Sequence, residues 1–407
     1  MTKIDLVYFN AGGGHRAAAL ALQEVIAQQR RPWQVRLVNL VDVLDPAAGF
    51  HRWTGFMPED LYNVRLARGW TWGLATELKL LQRAIRLGHR WLVERLSRHW
   101  DRTRPDLIVS LIPNFNRAMH DAAQRATPQA PFVTVMTDLA DLPPHFWIEP
   151  GTAQHVVCGS DEAMRQARLA GVPADRTWLT TGMILRPAFH RLPALDREDA
   201  RRALGLDPVQ PTGVVLFGGH GSAQMLRIAR TLDDVQLILM CGHNRRLANA
   251  LQACERKARH AVVGFTADVP HFLRLGDFFI GKPGPGSLSE AAHLGLPILT
   301  FDNAATMPQE RYNLQWLREH GLGAAVRNVR DLRAALIQML APDAQAQPRE
   351  ALPGNAAVFE IPEILADVLA TDQVRRAGRM SRCAALASLP AEATRRAGTT
   401  PAMGPTR

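Results

Sequence analysis

The stretch Lys282-Pro283-Gly284-Pro285-Gly286-Ser287-Leu288-Ser289-Glu290 follows the apolar run Phe278-Phe279-Ile280 and opens directly into the helical residues 291–294. A strand that passes through a glycine-rich turn into a helix makes a phosphate-binding junction. The glycines let the backbone close on an anion, the helix N-terminus offers unpaired N–H groups and the positive end of its dipole, and Ser287 and Ser289 add hydroxyls. Glu290, one turn further in, is placed to accept hydrogen bonds from a ribose, which makes the run a nucleotide site. The plain alternative is a Gly/Pro turn capping an ordinary helix, and the rest of the chain has to decide.

Outward from this stretch, short Val/Leu/Ile runs alternate with amphipathic helical segments. They fall at 4–9, 35–38, 107–111, 132–136 and 155–158, then at 213–217, 236–240, 261–263, 278–280 and 298–301. Such alternation predicts an α/β protein with parallel βαβ units in two doubly wound halves. The first domain is expected over 1–185 and the second over 186–370. Residues 358–369 have helical spacing, whereas 371–407 are rich in Arg, Ala, Thr, Gly and Pro and read as a basic, disordered tail. The first residues carry neither the apolar region nor the cleavage site of a signal peptide, and no apolar stretch is long enough to span a bilayer. The expected location is cytoplasmic, peripheral on the inner membrane face.

The 407 residues carry 48 Lys and Arg against 38 Asp and Glu, a net charge of +10. Nearly all the cations are arginine, so either an anionic partner or base composition accounts for them. Cys158, Cys241, Cys254 and Cys383 show no metal-ligand spacing and read as reduced thiols. Within 62–104, Trp70, Trp72, Trp91 and Trp100 interleave with Arg65, Arg68, Lys79, Arg83, Arg86, Arg90, Arg95 and Arg98. That pattern suits an anionic membrane surface, or equally a solvated helical face over buried tryptophans. No nucleic-acid-binding motif accompanies it, and no nucleic acid partner is expected.

Each half repeats the glycine turn after its first strand. Gly12-Gly13-Gly14-His15-Arg16-Ala17 satisfies the G-x-G-x-x-A dinucleotide form but is followed at the expected acidic position by Asn39 and then Asp42. His15 at such a turn is a candidate general base, or a loop histidine capping the next helix. Gly218, Gly219, His220, Gly221 and Ser222 form the equivalent loop of the second half, suited to a diphosphate. Phe265, at the end of a strand, is a candidate base contact or a core residue. Gln309, Glu310 and Asn313 open another helix and pair donors with acceptors, as sugar hydroxyls require.

Together these residues resemble glycosyltransferase family 28, in its monogalactosyldiacylglycerol synthase-like branch. The likeness rests on the 12–17 turn, on Thr137-Asp138 with Trp147, on Arg186-Pro187, on Gly284-Pro285-Gly286-Ser287 with Glu290, and on Gln309-Glu310 with Asn313; it covers about residues 4–369. The peptidoglycan N-acetylglucosaminyltransferase is a more distant relative. The resemblance implies a GT-B fold and inverting transfer of a hexose from a UDP-sugar to a diacylglycerol-like lipid hydroxyl. In it, His15 is the base with Asp138 as a second acid/base residue, and Gly13, Gly14 and Trp147 stand on the acceptor side. Glu290 meets the ribose, the 218–222 loop with Gly286 and Ser287 the diphosphate, and Gln309-Glu310 the sugar. No metal or other cofactor is implied, the UDP-sugar being the donor substrate. Residues 301–308 lack the Pro-Gly usual before Gln309, so the sugar is not carried over. Alternatives are a UDP-N-acetylglucosamine transferase acting on another lipid-linked acceptor, a non-catalytic nucleotide-sugar-binding protein, a dinucleotide oxidoreductase and an arginine-driven nucleic-acid binder.

Overall fold

The computed structural model describes residues 1–10, 13–45, 74–304, 306–341 and 354–387. Met1–Glu363 form one unit, which contains both sheets, and Ile364–Arg407 a second. The first sheet contains β1 (Thr2–Tyr8), β2 (Trp33–Asn39), β3 (Leu107–Ser110), β4 (Phe132–Val135), β5 (His155–Cys158) and β6 (Thr177–Leu179), in the order β2-β1-β3-β4-β5-β6. The second contains β7 (Thr212–Leu216), β8 (Gln236–Gly242), β9 (His260–Gly264), β10 (Phe278–Gly281), β11 (Ile298–Phe301) and β12 (Gly323–Val326), in the order β12-β11-β10-β7-β8-β9. Every pairing is parallel.

Strands covered on both faces need no polar alternation, and β3, β4, β5, β10 and β11 are buried at every position. The expected strands are all present. Two edge strands go beyond them. Thr177-Trp178-Leu179 has three residues, and Gly323-Ala324-Ala325-Val326 reaches a β-branched residue only at its end, so neither shows a strand signal in the sequence.

Both sheets reverse direction of growth at their first strand. β1 has β2 on one side and β3 on the other, and β7 has β8 and β10, so each sheet has a switch point where open α/β folds receive ligands. Register then fixes the neighbours. Gly281 stands opposite Leu216, which sets the loop after β10 beside the loop after β7.

The first sheet packs Val7, Ile108 and Phe132 against Leu92, Leu96 and Trp100, and further along the same face Val156 and Cys158 against Trp147 and Ala163. The second sheet is covered likewise. Leu139, Met183, Leu185 and Phe189, all from the first half of the chain, share one buried cluster with Val214, Phe279, Leu288 and Trp316 of the second. The halves of the first unit are therefore joined by apolar packing as well as by covalent connection.

Two expectations change. The helix Ala357–Ala387 runs through the segment read as disordered tail. Its 373–387 portion holds arginine, alanine, methionine and leucine without proline, and good helix formers can propagate a helix without apolar periodicity; residues 388–407 lie outside the described ones. In the basic-aromatic segment, residues 62–73, with Arg65, Arg68, Trp70 and Trp72, also lie outside. Of the other two tryptophans, Trp100 is 1% exposed and belongs to the core, whereas Trp91 is 50% exposed. Helices Leu74–Leu87 and His89–Thr103 also expose Leu80, Leu81 and Leu87 beside Lys79, Arg83, Arg86 and Arg90. Among the described residues no helix is long and apolar enough to cross a membrane.

Candidate active site at the strand ends

Gly13 caps the helix Gly14–Gln28 with φ 79°, a left-handed conformation that calls for glycine; Gly12 is outside the described residues. Immediately after it, His15 is turned into the fold. Its Nδ1 lies 3.0 Å from Thr137 Oγ1, beyond the end of β4. Desolvation pushes the imidazole down to about 4, opposed by a hydrogen bond to the Leu111 backbone. The ring is therefore neutral at pH 7 and able to accept a proton. Its polar side-chain partner is a hydroxyl.

Asp138 takes a different partner. Its Oδ2 accepts a hydrogen bond from Trp147 Nε1 at 2.9 Å, and the carboxyl is 7% exposed. Burial pushes it up to about 7; Trp147 opposes this, Glu310 adds to it, Lys282 opposes it and Asp141 adds again. Trp147 itself is fully buried, so it presents no surface to an acceptor and instead braces the site. Its backbone N–H donates to Asp141 Oδ1 at 2.6 Å, its carbonyl accepts from Asn116 Nδ2 at 2.9 Å, and its ring lies 6.1 Å from that of His15.

The second sheet faces this cluster with Lys282 and Glu310. Lys282 Nζ donates to Glu310 Oε1 at 2.9 Å, and Glu310 is 4% exposed. Asn313 is fully buried and donates Nδ2 to the Pro283 carbonyl at 2.7 Å. It pins the phosphate-type turn from behind through Nδ2, while its Oδ1 has no hydrogen-bond partner among the described residues. Gln309 is half-buried, with Nε2 on Met307 Sδ at 3.6 Å. Beyond the turn, the helix Pro285–His293 starts without a side-chain cap, so N–H groups at Gly286 and Ser287 remain for an anion, and nothing would obstruct even a Cβ at Gly286. Glu290 is pushed up to about 7 by burial, with the Arg186 guanidinium opposing.

The 218–222 loop is built against the end of β8. Gly218 and Gly221 have φ 74° and 58°, and a Cβ on Gly242 would stand 2.1 Å from the Gly219 carbonyl oxygen. That oxygen accepts the His243 N–H at 2.9 Å. Gly219 and His220 are exposed, while Ser222 is buried with Oγ accepting from Gln224 N at 3.2 Å. Phe265 is 63% exposed and stacks on His243, centroids 3.9 Å apart at 17°. An aromatic pair with a face in solvent is a ready platform for a nucleobase.

The structure thus gathers His15, Asp138, Trp147, Gly284, Glu310 and Asn313 around one centre. The 218–222 loop joins them through the β7–β10 register, and Phe265 stands beside that loop through its stack on His243. Sequence reasoning gave no role to Thr137 or Lys282, although both stand in quoted motifs, and missed His243. The signal for His243 was present: Cys241-Gly242-His243 ends a strand in the same way as the other glycine turns. A cavity of about 820 Å³ lies next to Leu139 and is lined by Ser160, Thr180, His293, Tyr312 and Trp316 among others; of the glycine-serine run it takes in Ser289.

Two switch-point sheets with their strand ends turned on one another define the GT-B glycosyltransferase fold. Solved structures agree on the architecture. A kitacinnamycin glycotransferase matches with TM-score 0.57 at 14% identity, covering 89% of this chain and 98% of that one. The Acinetobacter baumannii MurG matches with TM-score 0.53 at 14% identity, covering 90% and 99%. Residues 15–183 match the family model described as monogalactosyldiacylglycerol (MGDG) synthase. The chloroplastic monogalactosyldiacylglycerol synthase of Spinacia oleracea is 25% identical over 360 residues, 84% of this chain and 67% of that protein. The chain spans about two thirds of the length of such relatives, 65% in the Arabidopsis thaliana enzyme. The chain is thus similar to the monogalactosyldiacylglycerol synthases over most of its length, on a GT-B fold.

Proposed function

We propose that this chain is an inverting hexosyltransferase that moves a sugar from a UDP-sugar to the hydroxyl of a diacylglycerol-like lipid at a membrane surface. The observation that carries this reading is the pairing of a neutral, half-buried His15 on the first sheet with an uncapped helix N-terminus, Pro285–His293, on the second. One side is suited to take a proton from an acceptor hydroxyl; the other is suited to hold a diphosphate that gains charge as it leaves. General-base assistance of this kind contributes about 10²- to 10⁴-fold, and oriented N–H groups stabilise leaving-group charge without invoking a metal.

In this reading the acceptor oxygen attacks the anomeric carbon from the face opposite the diphosphate, its proton passing to His15, so configuration inverts. Asp138 completes the acid/base network. The uracil stacks on the Phe265–His243 pair, Glu290 accepts from the ribose, the 218–222 loop with Gly286 and Ser287 cradles the phosphates, and Gln309 with Glu310 faces the hexose. Leu80, Leu87 and Trp91, flanked by arginines, meet the lipid surface, where each basic residue adds about 1 kcal/mol on an anionic leaflet. The location that follows is peripheral on the cytoplasmic membrane face.

The test is a panel of UDP-hexoses and UDP-N-acetylglucosamine incubated with total lipid extract and read by mass spectrometry. A new glycolipid with inverted anomeric configuration is the expected product. Binding of UDP-sugars without transfer to any lipid would sink the enzymatic reading and leave a nucleotide-sugar-binding protein.

A further inference from the structure

Lys282 occupies the one position between the end of β10 and the Pro-Gly turn, and its ammonium is committed to a buried carboxylate, Glu310, at 2.9 Å. A buried carboxylate without a cation would lose its charge or reorient, so Glu310 depends on that lysine for its place. Asp138, on the other sheet, lies within the field of both groups. The charged or polar groups bearing on Asp138 are the Trp147 indole N–H, Glu310, Lys282 and Asp141, with the His15 ring beside that of Trp147.

Gly284 supplies an independent observation. Its φ of −73° and ψ of 135° are open to any residue, so backbone freedom does not explain a glycine there. A Cβ would stand 3.1 Å from Lys282 Cε, 3.4 Å from Lys282 Nζ and 3.5 Å from Glu310 Oε1. The missing side chain leaves the room in which the ion pair sits.

We propose that Lys282 is a positioning residue: through one ion pair, accommodated by Gly284, it fixes Glu310 at the cleft and joins the acid groups of the two sheets, Glu310 and Asp138, into one charge-coupled unit. Its consequence for transfer rests on the function proposed above, since that reading places Glu310 on the sugar and Asp138 in the acid/base network. A lysine that merely filled space would hold the turn without affecting Asp138.

The Trp147 indole N–H donates to Asp138, so its ¹⁵N resonance reports the protonation of that carboxyl without any need for turnover. In the full chain labelled at its nine tryptophans, the signal is assigned by its loss in Trp147→Phe and titrated from pH 5 to 9. The wild-type midpoint is expected near the value of about 7. In a Glu310→Gln background, where no carboxylate is left to lose its charge, Lys282→Met removes the cation alone and is expected to raise the midpoint by about one unit, the low end for a neighbouring charge. Lys282→Arg keeps it, Glu310→Gln lowers it, and Gly284→Ala, which crowds the pair without removing it, moves it in the direction of Lys282→Met but less. The other indole signals verify the fold. A midpoint unchanged or lowered by Lys282→Met in that background, or equally raised by Lys282→Arg, overturns the proposal. Should the wild type transfer no sugar, the functional reading falls while these midpoints still decide the coupling.

Discussion

Trp147→Phe isolates one hydrogen bond at the centre of the site. The side chain is fully buried and phenylalanine keeps most of its packing, so the chief loss is the Nε1–H that Asp138 Oδ2 accepts at 2.9 Å. A hydrogen bond to a charged group contributes about 1.5–3 kcal/mol, and one pKa unit corresponds to about 1.4 kcal/mol. Asp138, already pushed up to about 7 chiefly by burial, should therefore rise by about one to two units. At pH 7 its ionised fraction falls from about half to about a tenth or a hundredth, so a transfer step that needs the carboxylate slows about five- to fiftyfold and recovers above pH 9. Stability has its own sign. A carboxyl whose folded pKa is raised holds its proton more tightly in the folded state, so its contribution is greatest at low pH and is lost as pH rises from about 4 through 7. The variant should accordingly lose more stability at pH 9 than at pH 5, read by urea denaturation at both. The assay of function is kcat/KM for the donor across pH 5.5–9.5. An acid limb at the wild-type position, or a loss of activity equal at every pH, would refute this account of Asp138.

Four further outcomes are expected. His15→Ala should lower transfer by about 10²- to 10⁴-fold while calorimetry still detects UDP binding; binding and activity lost together would sink the base assignment. Phe265→Ala should weaken UDP binding by about 1–3 kcal/mol, the usual worth of an aromatic stack on a base, and unchanged affinity would remove it from the site. Gly242→Ala forces φ 57° on a residue with a side chain and drives its Cβ to 2.1 Å from the Gly219 oxygen. UDP binding should fail with a thermal destabilisation of at least about 2 kcal/mol, and a variant as stable as the wild type would contradict the packing described. Leu87→Ser with Trp91→Ser should reduce flotation with anionic vesicles by about tenfold or more, since each large apolar side chain is worth about 1.5–3 kcal/mol when buried, and should leave folding intact because both residues are exposed.

The sequence displayed the two-sheet architecture well because parallel strands buried on both faces are written as continuous Val/Ile/Leu runs, as in residues 107–110 and 298–301. It hid β6 and β12 because edge strands of three or four residues need little apolar content. At the site, glycine turns were legible as turns, but the cause of each glycine was not. Gly13 and Gly218 serve backbone conformation, Gly242 serves close approach, and Gly284 makes room for a lysine. The resemblance set Trp147 on the acceptor side, and only the fold reveals that its indole N–H is consumed internally, on Asp138, whereas Asn313 spends its amide nitrogen on Pro283 and keeps its oxygen. The neutral state of His15 was beyond the sequence altogether, since it arises from desolvation of the ring in the folded protein.

The seating of Leu139 bears on how the site tolerates its surroundings. The residue next to Asp138 in the chain is held in the same apolar cluster as Phe279 and Leu288, the strand before Lys282 and the helix behind Gly286. Salt screens exposed charges beyond about 10 Å at 0.1 M, but it does not loosen apolar packing. The placement of the acid group against the second sheet is thus set by contacts indifferent to ionic strength. Binding to a charged membrane should weaken as salt is added, whereas the internal alignment of the two sheets' acid groups should not.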